Sequence, residues 1–220
     1  MPYLLRPMTL LDIPQVEAVE REAFGSWART DFQRELRSSF AYHLVVCLQQ
    51  GVYTHQAGHS SHPEKGRFLA WWRPRRPLQE VLHPTIGGYV STWFLGGEAH
   101  IVAIAVASTY RRRGMGELLL IGSIEEAVRR RVQAITLEVR VSNIPAQRLY
   151  EKYGFAVAGR RRGYYLDNGE DALIMTVSAP LSPAYQERFH ALKEAHHQRW
   201  GVALLPPPGH EVDEGERQTR

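Results

Sequence analysis

The strongest constraint on the fold is a junction between an apolar strand and a long amphipathic helix. Residues 99–107 form an apolar stretch with strand character, and residues 114–131 carry apolar side chains at helical spacing. The segment between them ends in Arg-Arg-Arg, the helical stretch begins with Gly-Met-Gly, and another apolar strand follows at 134–139. A helix flanked by strands needs a sheet against which its apolar face can pack. We therefore expect a mixed α/β sandwich.

The other predicted elements complete such a sandwich. Asp12 and Thr30 are expected to be the N-caps of the first two helices, and Gly96–Gly97 is expected to close a hairpin between two strands. The expected fold is one central, largely antiparallel mixed sheet with helices on both faces. Periodicity and residue type predict helices at 13–24, 30–37, 145–153 and 182–200, and strands at 42–48, 86–95, 155–159 and 172–177.

Residues 50–84 interrupt this pattern with four prolines and three glycines. We expect an insertion or long surface loop there, with a short strand at 68–72. Three of its histidines, His55, His59 and His62, would share a helical face, but the glycine, serine and proline around them disfavour a helix. Cysteine or carboxylate ligands at useful spacing are missing, so we expect no metal. Residues 1–180 are assigned to one domain, and residues 181–220 to an extension with a helix and a disordered tail.

Composition narrows the class of protein only slightly. The net charge is +4, and the arginine clusters are spread along the chain, where they could meet nucleic acid, an anionic cofactor or water. The single cysteine, Cys47, excludes an internal disulfide and lies in an apolar run, as a core residue would. The sequence has no apolar run of the roughly 20 residues that span a bilayer, and its start lacks a signal-peptide pattern. We expect a cytoplasmic protein that does not enter a membrane.

The glycine turn is a candidate site for a diphosphate. Gly114 and Gly116 allow backbone geometry and close approach that side chains would block. The free N–H groups of the first helical turn, with the helix dipole, favour an anion, and Arg111–Arg113 add positive charge. The spacing matches neither a Walker loop nor the dinucleotide fingerprint. A glycine-rich turn of this kind can also be purely structural.

The second half of the chain carries a family resemblance. The turn has the pattern Arg-x-x-Gly-x-Gly, and it is followed by Leu137-Glu-Val-Arg-Val-Ser-Asn-Ile-Pro-Ala-Gln-Arg-Leu-Tyr-Glu-Lys-Tyr-Gly-Phe155 and Arg161-Arg-Gly-Tyr-Tyr-Leu-Asp-Asn-Gly-Glu-Asp-Ala-Leu-Ile-Met175. These blocks resemble GNAT acetyltransferases of the bacterial ribosomal-protein-alanine N-acetyltransferase (RimI) type, over residues 3–177 without 50–84. The resemblance implies the GNAT fold, acetyl-CoA as co-substrate, and a protein N-terminus as acceptor, such as the alanine of ribosomal protein S18.

By this resemblance Glu138 is the general base and Tyr150 the general acid. Acetyl transfer requires a neutral amine, and a free α-amino group with a pKa of about 7.7–8.0 is largely protonated at neutral pH. A carboxylate can accept that proton, and a phenol can protonate the departing thiolate. The alternatives are a salt bridge between Glu138 and Arg140, and a packed, half-buried aromatic ring at Tyr150.

The resemblance also implies residues for binding. Tyr164 and Tyr165 would wall the peptide entrance, although ordinary strand packing explains them almost as well. Phe24 lies in a loop, Phe-Gly-Ser-Trp, where the family usually has Phe-Pro-Trp, so substrate choice stays open. Asn143 would contact the cofactor or cap a helix. The remaining cofactor residues are Ile104, Ala105 and Val106 for the acetyl and pantetheine portions, and Arg112, Arg113, Gly114, Met115, Gly116 and Glu117 for the diphosphate.

Two other functions remain open from the sequence. The same fold could acetylate lysine or a small-molecule amine. In a different class, the basic clusters could belong to a noncatalytic module that binds ribosomes or RNA, with salt-sensitive affinity. The favoured function requires no direct contact with nucleic acid.

Overall fold

The computed structural model describes residues 3–25, 30–48, 84–201 and 203–204. Five α-helices and eight strands are assigned within these ranges. The helices are α1 (Ile13–Phe24), α2 (Phe32–Glu35), α3 (Met115–Arg129), α4 (Ile144–Lys152) and α5 (Pro183–Trp200). The strands are β1 (Tyr3–Pro7), β2 (Ala41–Leu48), β3 (Thr85–Leu95), β4 (Glu98–Val106), β5 (Ala134–Arg140), β6 (Ala156–Tyr165), β7 (Glu170–Val177) and β8 (Ala203–Leu204).

The eight strands form one sheet in the order β6-β7-β5-β4-β3-β2-β1-β8. Two neighbouring pairs, β4 with β5 and β1 with β8, are parallel, and the others are antiparallel. The expected mixed, largely antiparallel sheet is therefore confirmed. The expected hairpin is also present, since β3 and β4 pair antiparallel up to Leu95 and Glu98. Gly96 and Gly97, which connect them, have positive φ values of 59° and 81°. Two successive positive φ values match the tight turn that twisted antiparallel strands favour.

The parallel pair β4 and β5 separates part-way along its length. Pairing runs only from Glu98–Ala134 to Ile101–Leu137. Beyond Ile101, β4 continues with β3 as its partner, and beyond Leu137, β5 continues with β7. A register shift in β4 passes over Val102, whose side chain is 43% exposed. The sheet is thus split into two halves at one end, and the split exposes backbone groups of both strands.

Two apolar clusters cover the two faces of the sheet. The larger cluster joins α3, α4 and α5 to side chains such as Leu137 and Ile101. The smaller cluster joins α1 and α2 to the other face, through Tyr89 and Ala105. Side chains alternate along a strand, so Glu138 lies on the face opposite Leu137. Glu138 therefore lies on the face of the sheet that carries α1.

Several local predictions need correction. The N-cap of α2 is Asp31, whose side chain accepts a hydrogen bond from Arg34 N at 3.0 Å, and not Thr30. Thr30 instead donates to Glu20 at 2.5 Å, and α2 is shorter than the predicted 30–37. Asp12 does precede α1, but its carboxylate binds Arg6 rather than capping the helix. Strand β6 continues six residues past its predicted end at 159, because β7 pairs with it up to Tyr165.

The strands β1 and β8 were not predicted. Helix α5, which the sequence assigned to an extension, packs into the core. Phe189 of α5 is 7% exposed and belongs to the larger cluster. The chain then returns to the far edge of the sheet, where β8 pairs with β1. The predicted strand at 68–72 and the histidines at 55, 59 and 62 lie outside the described residues. Within the described ranges, no cluster of three or more His, Cys, Asp or Glu side chains could hold a metal, and no helix has the length and apolar character to span a membrane.

Candidate active site

Glu138 occupies the point at which the sheet splits. It is the first residue of β5 beyond the last pair with β4, Ile101–Leu137. Its side chain is only 6% exposed, although it lies beside a pocket. A buried carboxylate requires compensating partners, because burial alone disfavours the charged form. Side chains from β4 and β6 supply them.

The partners of Glu138 are His100 of β4 and Arg161 of β6. His100 Nε2 lies 2.8 Å from Glu138 Oε2, and an Arg161 guanidinium nitrogen lies 3.2 Å from Oε1. Both partner side chains are partly exposed, at 34% and 53%. These groups line an open pocket of about 380 Å³, together with Trp93, Leu95, Glu98, Thr136 and Tyr164.

The pKa of Glu138 is set by two opposing effects. Burial raises it, but the hydrogen bond with His100 and the charges of His100 and Arg161 lower it by more. The net pKa is below the ordinary glutamate value, so the carboxylate is ionised at neutral pH. The pocket therefore presents a fixed negative charge to any amine that enters it.

The alternative salt bridge between Glu138 and Arg140 is not formed. The Arg140 guanidinium binds Asp167 at 2.8 Å and Glu170 at 3.1 Å, and it stacks 3.8 Å from the centre of the Tyr165 ring. These contacts tie the β6–β7 turn to the end of β5. Glu138 is thereby left to face the pocket.

Tyr150 lies on α4 and packs in the larger cluster, with its ring 5.9 Å from that of Phe155. Burial, and secondarily the neighbouring Tyr165, raises the pKa of Tyr150. Its phenol therefore stays protonated at neutral pH. Burial also raises the pKa of Tyr165 to about 12, with the Glu138 charge adding to this shift. Tyr165 thus lies near both predicted catalytic groups, which approach the split from opposite faces of the sheet.

The glycine turn combines a closed side and an open side. Gly114 is the N-cap of α3 with a left-handed φ of 79°, and a Cβ there would lie 2.7–2.8 Å from three atoms of the Trp200 ring. At Gly116, in contrast, the nearest atom to a Cβ would be Val106 Cγ2 at 3.7 Å. The first-turn N–H groups have no partner within their own helix. A diphosphate therefore fits the Gly116 side of the turn.

The structure shows how the side chains of two further predicted cofactor residues, Glu117 and Asn143, are held. The Glu117 carboxylate does not face the open side, because it binds Lys152 Nζ at 2.5 Å and Tyr153 Oη at 2.7 Å. Only its backbone N–H is available to an anion. Asn143 is the N-cap of α4, and its side chain accepts a hydrogen bond from Ala146 N at 3.3 Å. This is the helix-capping role that the sequence left open for it.

The other predicted residues are distributed around the split. Met115 is buried beneath the turn, and Arg112 and Arg113 are exposed beside it. Tyr164 lines the pocket with its ring edge-on to Tyr165. Phe24, at the end of α1, packs in the smaller cluster. Ile104, Ala105 and Val106 lie on β4 beyond its last pair with β5.

Sequence reasoning missed His100, Arg161 and Trp93. His100 pairs in register with Thr136, two residues before Glu138, so it shares their face. That relation follows once the strands at 99–107 and 134–139 are assumed to be parallel neighbours. Trp93 lines the pocket, and its ring N–H donates a hydrogen bond to Glu35 at 3.2 Å. Nothing in the local sequence indicates this long-range contact.

Comparisons with known proteins agree with this architecture. The model of the acetyltransferase (GNAT) family matches residues 22–155. A candidate [ribosomal protein bS18]-alanine N-acetyltransferase of Bacillus subtilis is 35% identical over 176 residues, which cover 79% of this chain and 94% of the relative. The [ribosomal protein bS18]-alanine N-acetyltransferase of Escherichia coli K12 is 46% identical over 87 residues, or 39% of this chain and 57% of that enzyme.

Solved structures show the same fold at lower sequence identity. The ribosomal-protein-S18-alanine N-acetyltransferase of Escherichia coli superposes with a TM-score of 0.60 and 23% identity, covering 82% of this chain and 96% of that one. Arabidopsis thaliana NAA60 in complex with acetyl-CoA gives a TM-score of 0.60 with 18% identity, covering 80% and 97%. The chain belongs to the GNAT acetyltransferase family and is an acetyl-CoA-dependent N-acetyltransferase.

Proposed function

We propose that this enzyme acetylates the α-amino group of a protein N-terminus, and that the N-terminal alanine of ribosomal protein bS18 is its first candidate acceptor. The observation that carries the proposal is Glu138, an ionised and nearly buried carboxylate at the point where β4 and β5 separate. The relatives named as bS18-alanine N-acetyltransferases support this acceptor. A ribosomal substrate places the reaction in the cytoplasm.

In this proposal acetyl-CoA enters from the face that carries α3 and α4. The N–H groups of residues 115–117 would hold its diphosphate on the open side at Gly116. The backbone of Ile104, Ala105 and Val106, which lies beyond the last β4–β5 pair, would bind the pantetheine and acetyl portions. Acetyl-CoA supplies an activated acyl group, so no nucleophile of the enzyme is required.

The acceptor would reach the split from the opposite face, through the pocket beside Glu138. A carboxylate there attracts the α-ammonium group and accepts its proton as the amine attacks the thioester. His100 is hydrogen-bonded to that carboxylate and is partly exposed, which gives the proton a route to solvent. Arg161 forms an ion pair with the other carboxylate oxygen and would move aside for the substrate ammonium.

Tyr150 would protonate the departing thiolate from the cofactor face. Its environment raises its pKa while that of Glu138 lowers the carboxylate pKa. When the pKa values of two titratable groups are shifted in opposite directions in this way, one group is suited to act as the acid and the other as the base. Here the ionised carboxylate is the base and the protonated phenol is the acid, on opposite faces of one cleft.

Acceptor choice can be tested with matched peptides and mass spectrometry. We expect rapid acetylation of a bS18-derived peptide that begins with a free alanine, and no product from the same peptide with a blocked N-terminus and an internal lysine. The reason is that an α-amine, with a pKa of about 7.7–8.0, gives up its proton to the carboxylate far more readily than a lysine ammonium, with a pKa of about 10.4. Preferential acetylation of the blocked peptide would instead establish a lysine acetyltransferase.

The role of Glu138 predicts a pH-dependent defect. For Glu138→Gln, kcat/KM for the alanine peptide should fall by about 10²–10⁴-fold near pH 7. The loss should shrink towards about pH 9.5, where the free α-amine is already mostly neutral. Glu98→Gln, a change to another carboxylate that lines the pocket, should have little effect. A defect of the same size at every pH would contradict proton acceptance by Glu138.

The role of Tyr150 predicts a defect in turnover rather than in binding. Tyr150→Phe keeps the ring but removes the proton donor, so kcat should fall by about 10²-fold or more, with little change in KM for acetyl-CoA. Tyr42→Phe is the matched control, because Tyr42 is also a partly buried tyrosine of the larger cluster but lies away from the split. Unchanged kcat in Tyr150→Phe would remove the acid role.

A further inference from the structure

The C-terminal helix α5 reaches the glycine turn through its last two turns. His196 Nε2 lies 3.0 Å from the carbonyl oxygen of Gly114, and the Trp200 ring covers the Cα of the same residue. Both side chains belong to residues 183–200, beyond the segment 22–155 that the family model matches. The contact therefore joins the C-terminal helix to the turn that opens α3.

His196 is held in one chemical form by its surroundings. It is 3% exposed, and because a carbonyl oxygen only accepts, Nε2 must donate to Gly114. Nδ1 is buried and has no hydrogen-bond partner among the described residues. Protonation would leave a buried N–H without an acceptor, and burial accordingly lowers the pKa of His196. The neutral Nε2–H tautomer is thus the form that matches this site.

The same carbonyl begins helix α3. Gly114 O accepts from Leu118 N at 2.9 Å, which is the first hydrogen bond of that helix, and also from His196. Gly114 keeps a left-handed φ of 79°, and the Trp200 ring fills the space that a side chain would take. Two contacts from α5 therefore fix the residue that sets the direction of the first N–H groups of α3.

The remainder of α5 is anchored independently of the turn. Tyr185 Oη donates to the carbonyl oxygen of Tyr153 at 3.1 Å, and Arg188 donates to that of Lys152 at 2.8 Å. Lys193 forms an ion pair with Glu125 of α3. These contacts join α5 to both α3 and α4. The helix can thus act as a fixed support from which His196 and Trp200 extend to the turn.

We infer that His196 and Trp200 are positioning residues for acetyl-CoA, which hold the glycine turn in its diphosphate-binding conformation from the side opposite the ligand. The inference rests on the proposed binding of the diphosphate at this turn. The ligand and α5 use different sides of the turn. The space beside Gly116 is open to the diphosphate, whereas the Trp200 ring fills the space beside Gly114. Neither residue touches the reacting atoms.

The test measures CoA binding by calorimetry and acetyl transfer by steady-state kinetics on the full chain. In His196→Leu, the Kd for CoA and the KM for acetyl-CoA should rise about tenfold, equivalent to about 1.4 kcal/mol, while kcat and the KM for the peptide stay near wild type. His196→Gln should restore most of the affinity, because its amide can donate to Gly114 O. His190→Leu is the matched control, since His190 is an exposed histidine of the same helix.

A second variant separates positioning from folding. Trp200→Phe keeps an apolar ring in the core but withdraws part of the contact with Gly114, so it should also raise the KM for acetyl-CoA with little change in kcat. The inference is overturned if wild type binds CoA and both His196→Leu and Trp200→Phe bind it equally well. It is also overturned if Gln and Leu at position 196 are equally impaired. If the wild-type protein itself fails to bind CoA, the proposed cofactor site fails instead.

Discussion

The separation of β4 from β5 is the constraint on which the site depends. Four residue pairs hold the strands together, and beyond Ile101 and Leu137 each strand follows its other neighbour. The split gives access to the sheet from both faces. It also places Glu138 at the inner end of the opening, with Tyr150 packed on the other side. The proposed direct transfer from thioester to amine needs a passage of this kind, because cofactor and acceptor must meet without a covalent enzyme intermediate.

Charge is distributed around this passage in a way that suits the proposed reaction. The pocket face carries an ionised carboxylate between His100 and Arg161, and the opposite face carries a phenol that remains protonated. At the glycine turn, the Glu117 carboxylate would repel a diphosphate, but Lys152 and Tyr153 bind it away from the open side. The backbone N–H groups can then act on an anion without opposition from that charge.

The sequence was sufficient to predict the central elements and the two catalytic candidates. Glu138 and Tyr150 lie within one continuous motif, and the strand–turn–helix junction is strongly periodic. The ion pairs of Glu138 could not be predicted, because His100 and Arg161 come from β4 and β6, and their approach depends on strand register. The contact between His196 and Gly114 joins residues 82 positions apart. Strand β8, with two residues, carries no periodic signal of its own.

The most direct test of the account is a crystal structure with a bisubstrate conjugate in which CoA is joined to the α-nitrogen of an alanine-starting peptide. We expect this nitrogen within about 2.6–3.2 Å of Glu138, or one water away from it, and the diphosphate on the N–H groups of residues 115–117. Binding of the diphosphate elsewhere, or a Glu138 that stays paired with Arg161 and is out of reach of the nitrogen, would contradict the account.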